Sequence, residues 1–323
     1  MVTNPVTSYK KRANSSIRYL VLICFLLALV CTGCSKDEPV VRVDLTKRVE
    51  VTPSQPARAI TYAYLPQYSH SVSFERHRRL VERLAAATGL HIRQVFPNTF
   101  DAHIKMVERG EIDISFSNPF IYIKLAEIGA TAFARSIEST GKPDFRGQII
   151  CRRDNTKIRD IQDCRGKRWI AVDPSSAGGY LFALGHFIEQ GINLQDFSEV
   201  AFAPGPGGKQ EKVVFGVYTG QYDIGSIRNG TLSILKDRID LSQIRILAET
   251  RAYPGWVYAA RKDLDPEIVD KIAKAMFALT MKNKKDAVIL EAARIRGIIP
   301  ATDADYNPIR DLADKLQLSY YME

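Results

Sequence analysis

The chain has 323 residues, 46% of them hydrophobic and 25% charged, with 20 Gly and 15 Pro. This is an ordinary globular balance, and it excludes intrinsic disorder, collagen-like repeats and a polytopic membrane protein. The formal charge of +9 is concentrated at the N-terminus: without residues 1–33, which carry Lys10, Lys11, Arg12 and Arg18, 41 cations face 36 anions. The +5 that remains favours a small anionic ligand or an anionic membrane surface over a nucleic-acid groove.

Residues 1–33 read as a secretory signal. Positive charge lies in residues 10–18, Tyr19 to Cys31 is an uncharged run, and Thr32, Gly33 and Cys34 follow. Thirteen residues rise only about 20 Å as a helix, too little for a hydrocarbon core of roughly 30 Å. Cys34 after Thr-Gly resembles the lipobox of bacterial lipoproteins, which implies a lipidated Cys34 at the head of the mature chain; Cys31 departs from the usual Leu. A cleaved soluble protein or an uncleaved anchor are the alternatives. The mature chain then keeps Cys151 and Cys164, either a disulfide closing a short loop, worth about 3 kcal/mol if unstrained, or two buried thiols.

Residues 34–56, with Pro39, Pro53 and Pro56 among mixed charges, read as a tether. Strands and helices then alternate. A strand is predicted over Ile60–Leu65, a helix over Phe74–Thr88 stopped by Gly89, a helix over Thr99–Arg109, and a strand over Ile112–Phe116. A helix opened by Pro119 and a strand over Thr131–Ile137 follow. Further strands fall at Gln148–Arg152, Arg168–Val172, Glu199–Ala203, Tyr222–Ser226, Arg245–Ala248 and Trp256–Ala260. Helices lie between them at Gly179–Gln190, Gln210–Thr219 and Leu232–Ile239, and three more close the chain at Pro266–Met281, Lys284–Ile295 and Pro308–Leu316. The alternation predicts an α/β fold of parallel sheets covered on both faces, with ligands at the carboxyl ends of strands.

Three strand ends carry polar residues toward such a crevice. In the first, the strand ending at Val172 runs through Asp173 and Pro174 into Ser175, Ser176, Ala177, Gly178 and Gly179 at a helix start. Free N–H groups and the positive end of the helix dipole suit an oxyanion there, and a plain N-cap with tight strand–helix packing is the alternative. In the second, Ser117 and Asn118 precede Pro119, with Asn118 either a ligand contact or a cap and Tyr122 either a ligand contact or core. Tyr64 holds the equivalent place in the first unit. In the third, Arg228 offers a planar fork for an oxyanion, or else a surface salt bridge.

Enzyme signatures are missing. The glycines of Pro204–Lys209 fail the P-loop pattern, because Ala203 replaces the first Gly and Gln210 the Ser/Thr. There is no H-E-x-x-H, no G-x-S-x-G and no paired C-x-x-C, and the five histidines are scattered. The inventory is that of a binder, with no catalytic residue, metal or cofactor.

Motifs in order and spacing carry a resemblance from about Ala59 to Leu279. They are Ala87-Thr-Gly89, Glu108-Arg-Gly-Glu-Ile-Asp-Ile114, Gly141-Lys-Pro-Asp-Phe-Arg-Gly147, Ile161-Gln-Asp-Cys-Arg-Gly-Lys167, Asp173-Pro-Ser-Ser-Ala-Gly-Gly-Tyr180 and Val217-Tyr-Thr-Gly-Gln-Tyr-Asp223. The chain resembles the periplasmic phosphonate-binding proteins of ABC transporters, of the type II solute-binding fold. The resemblance implies two lobes, 57–152 plus 252–323 and 153–251, joined by a two-segment hinge and closing over a phosphonate, phosphite or phosphate at the Ser175–Gly179 helix start. It also implies a monomer with an ABC permease as partner, on the extracytoplasmic face of a bacterial membrane through its lipid, with no nucleic acid. Two departures stand out. The family's Ser-Thr-Ser-Gly-Tyr is Ser176-Ala-Gly-Gly-Tyr180 in this sequence, and its His–acid pair is Gln210-Glu211. Meanwhile Ser117-Asn118-Pro119, Gly225-Ser-Ile-Arg-Asn229 and Tyr253-Pro-Gly-Trp256 resemble the related sensor domains of histidine kinases, including tetrathionate-type sensors. That second resemblance implies a ligand role for Arg228 and, alternatively, a sensor kinase as partner.

Overall fold

A computed structural model describes residues 59–320. The signal, Cys34 and the tether over 34–56 lie outside the described residues.

The elements form where local chemistry permits them. Ser69 caps the helix His70–Thr88 by accepting from the Val72 N–H, and Gly89 ends it in the left-handed conformation at φ 71°, with its N–H on the Ala85 carbonyl. Thr99 caps the helix Phe100–Glu108 through the Ala102 N–H. Asn118 caps the helix Pro119–Glu127 through the N–H groups of Phe120 and Ile121, with Pro119 in the first turn, where its missing N–H costs nothing.

Two sheets result. The six-stranded sheet runs Ile295–Pro300, Thr131–Glu138, Val257–Ala260, Ile114–Ser117, Ile60–Tyr64, Ile92–Val95. The five-stranded sheet runs Ile244–Glu249, Gly147–Arg152, Ile224–Arg228, Arg168–Ala171, Glu199–Phe202. Parallel pairing is confined to part of each. Ile60–Tyr64 is parallel to both of its neighbours, as is Arg168–Ala171. Val257–Ala260 and Gly147–Arg152 are antiparallel to theirs. The sheets are thus mixed, with a parallel core in each, because strands returning through the hinge re-enter each sheet in the opposite sense.

The molecule is a two-lobed α/β fold of the type II binding-protein arrangement. The chain crosses between the sheets through Asp144–Phe145 and Tyr253–Pro254, which pair antiparallel as a two-stranded hinge. Gly147 and Thr250 reinforce it: the Gly147 N–H donates to Thr250 Oγ1 and the Thr250 N–H to the Gly147 carbonyl, both at 3.0 Å. Gly147–Arg152 therefore belongs with the five-stranded sheet, ahead of the expected divide after 152. Behind the hinge, Leu312 of the closing helix Asn307–Lys315 packs on Gly185, where a Cβ would lie 2.9 Å from its Cδ1. Among the described residues no helix is long and apolar enough to cross a membrane.

Candidate ligand site

Arg228 ends the strand Ile224–Arg228 in the crevice between the lobes, only 7% exposed. Its guanidinium lies between two aromatic faces, 5.2 Å from the Phe145 centroid and 5.1 Å from that of Trp256. Burying a charge costs several kcal/mol unless a partner and hydrogen bonds compensate. Here Nη2 donates to Glu138 Oε2 at 2.7 Å, while the two rings stack on the cation. Burial works against the positive charge, but Glu138, then Tyr68 and Tyr64, outweigh it and hold the guanidinium pKa above its ordinary value. The Nε of Arg228 is buried without a hydrogen-bond partner.

Arg76 approaches from the other lobe. It is 9% exposed, lies 5.3 Å and 5.1 Å from the rings of Tyr64 and Tyr68, and donates through Nη2 to the Ala293 carbonyl at 2.9 Å. Its Nε is also buried and unpartnered. Between the two arginines opens a cavity of about 100 Å³, lined by Tyr68, Arg76, Glu138, Ser139, Arg228, Asn229, Gly230, Ser233, Ile234 and Arg294. At about 30 Å³ per water, that is room for roughly three waters, or one small oxyanion.

Hydrogen bonds cross the crevice around this cavity. The Gln210 N–H donates to the Gln67 carbonyl and the Gly207 N–H to the Asn98 carbonyl, each at 3.2 Å. Asn118 Nδ2 donates to the Ser175 carbonyl at 3.3 Å, and Lys124 Nζ to Ser175 Oγ at 2.9 Å. Gln210 also accepts the Arg228 N–H on its Oε1 at 3.1 Å, so the helix start that lacks the family's His–acid pair fixes the backbone of Arg228 instead.

The serine turn is occupied by its own neighbours. Ser176 caps it by accepting the Gly179 N–H at 3.2 Å, and Ser175 Oγ is taken by Lys124. Ala177 is buried, and Gly178 packs so closely that a Cβ would lie 2.9 Å from Phe145 and 3.0 Å from the Arg228 side chain. Gly179 lies against Val172, and its carbonyl accepts from Ser226 Oγ at 2.7 Å. The turn backs the arginine.

The other expected residues divide. Tyr64 is buried beside Arg76, its hydroxyl accepts from Gln67 Nε2, and burial, opposed by Arg76, pushes its pKa up to about 12. Ser117 is fully buried with an unpartnered Oγ. Asn118 is the cap and the interlobe contact at once. Tyr122 is a correction: its hydroxyl donates to Asp303 at 2.8 Å and accepts from the Ala132 N–H, and its ring packs on Tyr306. The ring is fully buried against Tyr306, so it is core. Cys151 and Cys164 are both buried free thiols, and burial raises the Cys164 thiol to about 12.

Sequence reading missed Arg76, Glu138, Tyr68 and Trp256. The signals were positional. Arg76 shares a helix stripe with Leu80 and Leu84, and alternation along Thr131–Glu138 puts Glu138 on the buried face with Ala132, Ala134 and Ser136.

A crevice between two hinged lobes, closed around a small cationic cavity, defines a binding protein for a small anionic solute. The family model of the periplasmic substrate-binding proteins of phosphonate ABC transporters matches residues 62–306, and the chain belongs to that family. The phosphate-import protein PhnD of Mycolicibacterium smegmatis is 26% identical over 94% of this chain and 97% of its own. The tetrathionate sensor histidine kinase TtrS of Salmonella typhimurium is 24% identical over 53% of this chain and 31% of its own. Among solved structures, PhnD1 of Prochlorococcus marinus in complex with methylphosphonate has a TM-score of 0.72 at 14% identity, covering 80% of this chain and 98% of that one.

Proposed function

We propose that this protein captures a small phosphorus oxyanion, phosphate or an alkylphosphonate, in the interlobe cavity and delivers it to an ABC permease from the outer face of a bacterial membrane, where Cys34 holds it by a lipid. The observation that carries the reading is Arg228, buried, stacked and paired at a cavity whose lining comes from both lobes. Arg76 and Arg228 supply charge and donors from opposite sides, so a ligand that grips both favours the closed form over the open one. The Ser175–Gly179 turn serves by packing Arg228 and by clasping the lobes rather than by cradling the anion. Likeness to a phosphate-import protein over nearly the whole chain supports transport; likeness to a tetrathionate sensor over half of it supports the second reading, a ligand-sensing partner of a kinase.

Isothermal titration of the purified chain with phosphate, methylphosphonate and tetrathionate tests both. Binding of a phosphorus oxyanion that is lost in Arg228→Ala supports capture for transport. Binding of tetrathionate alone transfers the case to sensing, and no binding by any of them removes the proposal.

A further inference from the structure

The net charge of this protein is gathered in one part of its fold. Residues 59–320 hold 36 Lys and Arg against 31 Asp and Glu. Residues 70–88 and 266–296 hold 11 of those cations and 6 of the anions, which leaves 25 of each sign everywhere else. The helices Pro266–Phe277 and Lys284–Ala292 both pack on His70–Thr88 and on the edge strand Ile295–Pro300, so these residues form one outer layer of the lobe built on the six-stranded sheet.

Little of this charge is used inside the fold. Arg76 and Asp286 are buried and offset each other, so ten cations and five acids remain outside. Ion pairs join Arg78 to Glu75 and Glu82, and Lys274 to Asp270. Arg79, Lys271, Lys282, Lys284, Lys285 and Arg296 are exposed and have no ion-pair partner among the described residues. Two of these stand where the helix itself disfavours them. Lys284 and Lys285 open the helix Lys284–Ala292, at the positive end of its dipole. Neutral or acidic residues there would stabilise the helix more, so folding does not account for their placement. Val288, 45% exposed, lies three and four residues further on and shares their helix face.

We propose that this layer is a docking face for a bilayer surface bearing anionic headgroups, on the reading that a lipid at Cys34 keeps the protein at a membrane. Charge complementarity favours a lipid surface over an acidic protein. A protein partner pairs with particular cations in register, whereas a bilayer presents a diffuse negative charge that suits cations spread over three helices and an edge strand. Each Lys or Arg held near such a surface strengthens attachment about five-fold, and the effect falls off within a Debye length. The long Lys stems let the ammonium groups reach the headgroups while Val288 sits against the apolar boundary.

Cosedimentation with vesicles tests this on the full chain carrying Cys34→Ala, so that a lipid anchor plays no part. Vesicles of phosphatidylcholine alone are compared with vesicles that also contain phosphatidylglycerol. Binding to the anionic vesicles is expected to be at least ten-fold tighter and to weaken as salt rises. Lys282→Gln, Lys284→Gln and Lys285→Gln combined are expected to remove most of that preference, with an unchanged or raised melting temperature, since the first helical turn loses two cations. Equal binding of the two kinds of vesicle by the parent chain overturns the proposal and leaves the face to an acidic protein. A folded triple variant that keeps the whole preference also overturns it, because cations elsewhere, Lys10, Lys11, Arg12 and Arg18 among them, then carry it. The anchor is read separately, by mass spectrometry of Cys34 in the native chain, so its absence and a failure of this face are told apart.

Discussion

Lys124 and Ser175 face each other across the crevice, with Nζ donating to Oγ at 2.9 Å. Lys124 belongs to the helix Pro119–Glu127 of the lobe built on the six-stranded sheet, and Ser175 to the turn that follows Arg168–Ala171 in the other. A serine expected to hold an anion is therefore held by a lysine, and the contact joins the lobes. Lys124→Ala is expected to weaken affinity by about three- to ten-fold without abolishing it, since a single part-exposed hydrogen bond contributes about 1 kcal/mol to closure. Titration calorimetry reads the change. Complete loss of binding would show that Lys124 touches the ligand.

Gly178 is predicted to be intolerant of even one added methyl. A Cβ there would come within 3.2 Å of the Arg228 Cα and 2.9 Å of Phe145, so backbone or ring must move. Overpacking of this kind costs roughly 1–3 kcal/mol. Gly178→Ala is expected to lower the melting temperature and to weaken ligand binding at least ten-fold, because the displaced group is the arginine. Unchanged affinity in a destabilised variant would uncouple the turn from the site.

Arg228 and Glu138 stabilise the fold as a pair, and on the proposed reading the arginine's charge also serves binding. Removing one partner of a buried pair costs about 3–5 kcal/mol, whereas replacing both by residues of similar volume is often neutral. Arg228→Met is expected to fall sharply in stability, and Arg228→Met with Glu138→Gln to recover most of it, while neither binds the oxyanion. Denaturant unfolding and calorimetry on the two variants separate the effects. Recovery of binding in the double variant would remove Arg228 from the seat.

Much of this was legible in the sequence, and what was not has physical causes. The strands at Ile60 and Arg168 and the capped helices after Ser69, Thr99 and Asn118 show as apolar runs and capping residues. Ile92–Val95 and Ile295–Pro300 do not, since Arg93, Gln94 and Arg296 interrupt short edge strands, and the helix expected over Lys284–Ile295 runs on to the first residue of the second. That helix stops at Ala292, and Arg294 takes a left-handed φ of 60° that redirects the chain into the strand. In the site, Arg228 was readable because it closes a strand, whereas Arg76 and Glu138 are distant from it in sequence and acquire their roles only when the lobes meet. The serine turn was recognisable but its use was not, since that depends on Lys124 and on the packing of Gly178.

Two buried histidines set the acid limit of the fold. Burial lowers the pKa of His103 to about 3, and burial together with Arg76 lowers that of His77 well below its ordinary value. Both are therefore neutral when folded and take up a proton when unfolded. The unfolded state binds more protons below about pH 6.5, so stability is full above that value and declines as pH falls toward about 3, by about 1.4 kcal/mol per pH unit for each group. Melting temperature measured from pH 7.5 to 4 should fall steadily, and less steeply in His103→Gln. A flat profile over that range would contradict the assignment of both as neutral core residues.

The hydroxyl of Tyr122 belongs to Asp303 and the Ala132 N–H, so Tyr122→Phe is expected to cost about 1 kcal/mol of stability and to leave affinity unchanged. A weakened Kd in calorimetry would return Tyr122 to the ligand.

The central claim is that an oxyanion is held by the arginine cavity rather than by the serine turn. Titration of phosphate and methylphosphonate into the native chain, Arg228→Lys and Ser176→Ala tests it most directly. Lysine keeps the charge but loses the planar group stacked between Phe145 and Trp256. The account predicts that Arg228→Lys loses at least a hundred-fold in affinity, while Ser176→Ala, which gives up only a cap, loses less than five-fold. The opposite order, with affinity surviving in Arg228→Lys and vanishing in Ser176→Ala, would place the anion at the turn and contradict it.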